Sequence, residues 1–175
     1  MKKLPFYLLI LGASMIASQA ASRAETGTVF TNTTAYIAPL LELAISQTGQ
    51  SELRFGNIRP SAIDTTQVGP ITLLIDVKSN TGDRYQVIQT INSALENSEG
   101  DKIDLSNLRF KTSSIKSNGI AIASPTPVSA SSQIVFTSDA QGTSDTISAE
   151  YTLTVPASQA PGDYSALLTY TVSSL

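Results

Sequence analysis

The feature that most limits what this chain can fold into is the two-residue alternation of its C-terminal stretch. Ile147, Ala149, Tyr151, Leu153 and Val155 alternate with Thr146, Ser148, Glu150, Thr152 and Thr154 without exception. After "PASQAPGD", Tyr164, Ala166, Leu168, Tyr170 and Val172 alternate with Ser165, Leu167, Thr169, Thr171 and Ser173, and only Leu167 departs from polar. Successive side chains of a strand point to opposite faces, so each segment reads as a strand with one buried face. A helix would need apolar residues three and four apart, and neither segment has that spacing over its length. No further strand follows in the sequence, so the edge of the last strand is expected to be covered by an earlier strand or by another molecule.

The same period recurs upstream. In "ITLLIDVKSN", Ile71, Leu73, Ile75 and Val77 share one face, with only Leu74 breaking the pattern. The turn "SNTGD" leads into "RYQVIQT", which places Tyr85 and Val87 on one side, so residues 71–90 read as an antiparallel hairpin. Further strands are expected at "GTVFTNTTAYI", "LLELAIS", "ELRFG" and "SQIVFTS", with shorter pieces near "IDLSNLRFKT" and "GIAIA". The segment Ala94 to Asn97 reads either as one helical turn or as a loop. Short strands at fairly regular spacing, without a long amphipathic helix, predict an all-β fold: an antiparallel, immunoglobulin-like β-sandwich, with a closed barrel as the alternative. The 175 residues suit one such domain.

Lys2 and Lys3 followed by "LPFYLLILGASMIA" read as a secretory signal peptide over residues 1–24, cleaved before Ala21 or before Glu25. The apolar run falls short of the roughly 20 residues a membrane span needs, so no membrane insertion is expected once the signal is removed. Residues 25–38 form an N-terminal strand or extension, and residues 39–175 the sandwich. The chain has no cysteine, so burial must supply its stability, and no histidine, which removes the commonest general base and metal ligand. Without a Gly-x-Ser-x-Gly motif, only a Ser-Lys or paired-carboxylate site would remain for an enzyme, and none is expected. A net charge of -3 and the absence of any Lys/Arg run argue against nucleic acid as a partner. Asp139 with Asp145, and Asp101 with Asp104, are the candidate calcium ligands. Neither pair follows the spacing of a calcium loop, so both read as solvated turns, with no cofactor expected.

The run "TVFTNTTAYIAPLLELAIS", then "LRFGNIRPS", "GPITLLIDVKSNTGDRYQV" and the closing "APGDYSALLTYTVSSL" together resemble chaperone-usher fimbrial (pilus) subunits, namely alpha-class major subunits and spore-coat-U-like archaic subunits. Archaic subunits carry cysteines near the start and a terminal Tyr, whereas this chain has no cysteine and ends Ser173-Ser174-Leu175; the alpha class fits better. The resemblance implies an incomplete sandwich completed by a donor strand from a neighbour. It also implies partners: other copies or related pilus subunits, a periplasmic chaperone and an outer-membrane usher. The location it implies is the periplasm in transit, then the cell surface or the medium. The donor would present Val29, Thr31, Thr33, Ala35 and Ile37, or the opposite face of Phe30, Asn32, Thr34, Tyr36 and Ala38. The acceptor groove would be lined by Tyr164, Ala166, Leu168, Tyr170 and Val172. Two other readings stay open. The N-terminal segment pairs within its own domain, or the chain is a secreted noncatalytic β-sandwich binding cell-wall or carbohydrate ligands. Cell-wall-binding sandwiches close on a similar strand but carry Trp-x-Leu motifs, and this chain has no Trp.

Overall fold

β-branched and aromatic residues at every second position build antiparallel sheets that bury one face each. The structure, a computed structural model, describes residues 34–46 and 53–175. The unit Ile37–Leu175 contains the strands β1 (Leu41–Ser46), β2 (Thr66–Ser79), β3 (Tyr85–Ile91), β4 (Leu95–Glu96), β5 (Lys102–Ile103), β6 (Leu108–Ser114), β7 (Ile120–Ala121), β8 (Thr126–Pro127), β9 (Gln133–Thr137), β10 (Asp145–Val155) and β11 (Leu168–Ser174). One sheet has the order β1-β2-β10-β6-β8 and the other β11-β3-β9-β7, while β4 and β5 make a separate ribbon. The strands of both sheets pair antiparallel. The fold is therefore an all-β sandwich of open sheets and not a closed barrel.

The core lies between the two sheets. The first contributes Leu73, Ile75 and Val77 from β2, Phe110 from β6, and Ile147, Ala149 and Tyr151 from β10; the second contributes Tyr85, Val87, Val135 and Phe136. Phe110 stacks on Tyr151 with ring centroids 5.9 Å apart, and Tyr85 meets Phe136 at 6.1 Å. Burying each large side chain stabilises the fold by about 1.5–3 kcal/mol, which is how a chain without cysteine dispenses with disulfides. The long β2 follows β10 past an irregularity where Tyr151 faces Ile71 but Leu153 faces Val68. Gly69 and Pro70 occupy it: Pro70 has no N–H to offer the ladder. Gly69 sits at φ +110 with the Tyr151 carbonyl oxygen 2.7 Å from where a Cβ would stand.

The hairpin expected over residues 71–90 is not one. β2 pairs with β1 and β10, β3 pairs with β11 and β9, and the connection between them crosses from one sheet to the other. Both strands do bury the predicted face, but they bury it across the core instead of side by side. β10 and β11 are likewise in different sheets. Residues Leu53–Gly56 form no strand, although Leu53 and Phe55 pack half-buried against the core. Ala94 to Asn97 holds the short strand β4 instead of a helical turn. The 3-10 turn among the described residues is Leu105–Asn107, where the Asp104 carboxylate accepts the Ser106 N–H at 2.8 Å. The signal segment 1–24 lies outside the described residues. Among those described, no helix is long and apolar enough to cross a membrane.

Candidate functional site

A strand at the edge of a sheet presents a row of unpaired N–H and C=O groups. β11 is such a strand: from Leu168↔Ile91 to Ser174↔Tyr85 it pairs with β3, and no described strand pairs its other side. β1 is an edge of the opposite sheet, paired with β2 from Leu41↔Ser79 to Ser46↔Leu74. The two edges approach each other. Leu41 and Leu43 on β1, and Leu168, Tyr170 and Val172 on β11, pack against the core yet are only half-buried. Their outward neighbours Thr169 and Thr171 are exposed. Half-covered apolar side chains thus lie along two neighbouring edges that no other described strand pairs, and an unpaired edge of this kind can accept one more extended strand.

A chain of polar contacts runs from β11 through the sandwich to the far side, buried at Tyr151 and Gln89 and exposed at its last link. The Tyr170 hydroxyl is hydrogen-bonded to that of Tyr151, which donates to Gln89 Oε1 at 2.7 Å. Gln89 Nε2 donates to Gln133 Oε1 at 3.1 Å, and Gln133 Nε2 reaches the Pro127 carbonyl at 3.1 Å. Burial raises the pKa of both tyrosines, so they stay neutral hydrogen-bonding groups. Tyr170, Tyr151, Gln89 and Gln133 thus each have a partner, as burial of polar groups requires.

The predicted acceptor residues divide. Leu168, Tyr170 and Val172 stand together on β11. Tyr164 and Ala166 lie before the strand begins, in a segment that touches Glu96 through Ser165. The Tyr164 hydroxyl donates to the Ala160 carbonyl at 2.9 Å and accepts from Gln159 at 2.8 Å, so it ties down the "PASQAPGD" connection. Of the predicted donor residues, Val29, Thr31 and Thr33 lie outside the described residues; Ala35 and Ile37 are exposed and in no strand. Leu41 and Leu43, the wall contributed by β1, were not singled out by sequence reasoning, though their spacing in "LLELAIS" carries the signal.

The carboxylate pairs hold structure together. Asp145 is 2% exposed, which corrects its reading as a solvated turn. It accepts the hydroxyls of Ser114 and Ser117, each at 2.5 Å, and the backbone N–H groups of Lys116 at 2.9 Å and Thr146 at 2.7 Å. Burial pushes its carboxyl up, but the hydrogen bonds from Ser114, Ser117, Lys116 and Thr146 outweigh that and hold it below the usual carboxylate range. Asp139 accepts the Thr143 N–H at 2.9 Å, which lowers its pKa. Burial, then the Asp145 and Asp139 carboxylates, push the Tyr85 hydroxyl up to about 12, so it remains a donor to the Thr143 carbonyl at 2.9 Å. Asp101 pairs with Asn97 Nδ2 at 3.0 Å. No group of three or more carboxylates among the described residues is placed to hold a metal ion. In comparison with known proteins, the chain matches no family model and no curated sequence.

Proposed function

We propose that this chain is an exported structural or adhesive subunit of a bacterial surface fibre, in which an N-terminal segment of one copy adds as a strand along β11 of the next. The observation that carries this reading is the edge of β11, where core-facing Leu168, Tyr170 and Val172 are left half-covered beside a backbone edge that no described strand pairs. The strand order supports it. An immunoglobulin-type sandwich sets strands A, B, E and D against C, F and G. Here β1, β2, β10 and β6 stand in the places of A, B, E and D, while β3 and β11 stand in those of C and F. The place of G, beside β11, has no described strand. Residues 25–38 are long enough to fill it, since β11 itself spans only Leu168–Ser174 and both would extend at about 3.3 Å per residue. A half-covered apolar edge left open during export would be an aggregation hazard, which supports a periplasmic chaperone and an outer-membrane usher as partners.

The test compares the chain 25–175 with a version lacking 25–38, by electron microscopy, by light scattering and by titration with a labelled peptide of residues 25–38. The full chain is expected to form fibres. The shortened chain is expected to fold as a monomer that assembles no further and binds the peptide. A shortened chain that unfolds, or that folds but ignores the peptide, overturns the reading, the first outcome because the segment would then belong to its own domain.

A further inference from the structure

If the extension ahead of β1 is the donor, something must keep it out of its own groove. The root of the extension and the C-terminal end of β11 lie at the same end of the sandwich: Leu41 faces Ser79 at the end of β2, and Ser174 faces Tyr85 at the start of β3. A chain arriving at Leu41 would have to reverse ahead of β1 to lie along the β11 of its own domain, and the most direct reversal falls within Ala38–Leu40.

Those residues are held by Asn80. The Asn80 backbone N–H donates to the Leu40 carbonyl at 3.1 Å. The Leu40 N–H donates to Asn80 Oδ1 at 2.6 Å, and Asn80 Nδ2 donates to the Ala38 carbonyl at 3.0 Å. The side-chain amide thus acts as an extra peptide group. The main chain of Asn80 leaves β2 for the crossing to β3, while its side chain carries the β1–β2 ladder on past the Leu41↔Ser79 pair. A segment whose carbonyl and N–H groups are committed to prolonging β1 on the β2 side cannot also turn back toward β11 on the other side.

We infer that Asn80 is the positioning residue that makes strand addition intermolecular: by continuing the β1 ladder through Ala38–Leu40, it blocks the reversal that would let the extension fill its own groove. The inference rests on the strand-addition reading above. Asparagine suits the task because a single side chain supplies one acceptor and one donor; aspartate keeps the acceptor and loses the donor, and alanine loses both.

The experiment uses the chain 25–175 as wild type, as Asn80→Ala, as Asn80→Asp, and as wild type with four glycines inserted between Ala38 and Pro39. Size exclusion with light scattering measures closed monomer against oligomer, and labelled peptide 25–38 measures open grooves. Losing two hydrogen bonds in Asn80→Ala is expected to raise the ratio of closed, peptide-refusing monomer to oligomer about tenfold, with Asn80→Asp in between. The glycine insertion, which frees the reversal while leaving Asn80 and its two bonds to Leu40 in place, is expected to close as well. An Asn80→Ala chain that keeps the wild-type proportion overturns the inference whatever the insertion does. So does a wild-type chain that is monomeric and refuses the peptide, because its extension already fills its own groove. A chain lacking 25–38 that folds but binds no peptide overturns the strand-addition reading itself.

Discussion

β10 and β11 carry nearly the same pattern in sequence and meet opposite fates. β10 lies between β2 and β6, and its core-facing Ile147, Ala149 and Tyr151 are 0% exposed. Among the described strands β11 has β3 on one side only, and its core-facing Leu168, Tyr170 and Val172 stay half-covered. Alternation reports that a strand has an inner face. How completely that face is covered depends on the number of neighbouring strands, which the pattern does not encode. The difference is one of position: β10 is closed on both sides by described strands, whereas the outer edge of β11 has none among them.

Truncations at matched positions test this contrast. Tyr151→Ala should cost about 4 kcal/mol in urea unfolding, since it empties a closed site and breaks the link between Gln89 and Tyr170. If it costs no more than a truncation on β11, the contrast fails. Asp145→Ala, at the head of β10, should cost about 3 kcal/mol because it strands the donors of Ser114, Ser117, Lys116 and Thr146. The same carboxylate has a pKa below its unfolded value of about 3.9, so its contribution is present above that pH and is lost as pH falls through the lowered folded value. Urea midpoints followed from pH 5 down toward about pH 2 should therefore fall less steeply for Asp145→Asn than for wild type. Val172→Ala, on half-covered β11, should cost the monomer only about 1 kcal/mol. It should cost the assembled state more, readable as a higher concentration for assembly, and this would sharpen the assignment of β11 to the interface. Thr171→Ala, on the exposed face of the same strand, should stay within about 0.5 kcal/mol by thermal unfolding.

The class of fold was legible because burial on one face of a strand imposes a period that residues 146–155 and 71–77 display openly. Sheet membership was not. "SNTGD" has the chemistry of a hairpin turn, but the 80–84 connection is shaped by distant partners. Asn80 reaches Ala38 and Leu40, and Asp83 packs against Gly142, where the Asp83 carbonyl oxygen stands 1.9 Å from the position a Cβ would take. The same limit hid the role of Asp145, whose partners Ser114, Lys116 and Ser117 belong to another part of the chain. A local clue did exist, because Asp145 falls on the same alternating face as Ile147 and so points inward. Of the proposed groove, the β11 side could be read from alternation, whereas the side at Leu41 and Leu43 needed the knowledge that β1 and β11 come close to each other.

The crossing between β2 and β3 has a consequence in time. Because the two strands never pair, β3 gains no partner from the segment made just before it, and its pairing with β11 joins Ile91 to Leu168 and Tyr85 to Ser174. Contacts between parts so far apart along the chain are slow to form. A polypeptide delivered from its N-terminus therefore leaves one edge of β3 unpaired until residues 168–174 have emerged, although β9 reaches its other edge earlier. For this molecule the interval between emergence and completion of the second sheet is the dangerous one, and its length is set by the order of the strands as much as by their stability.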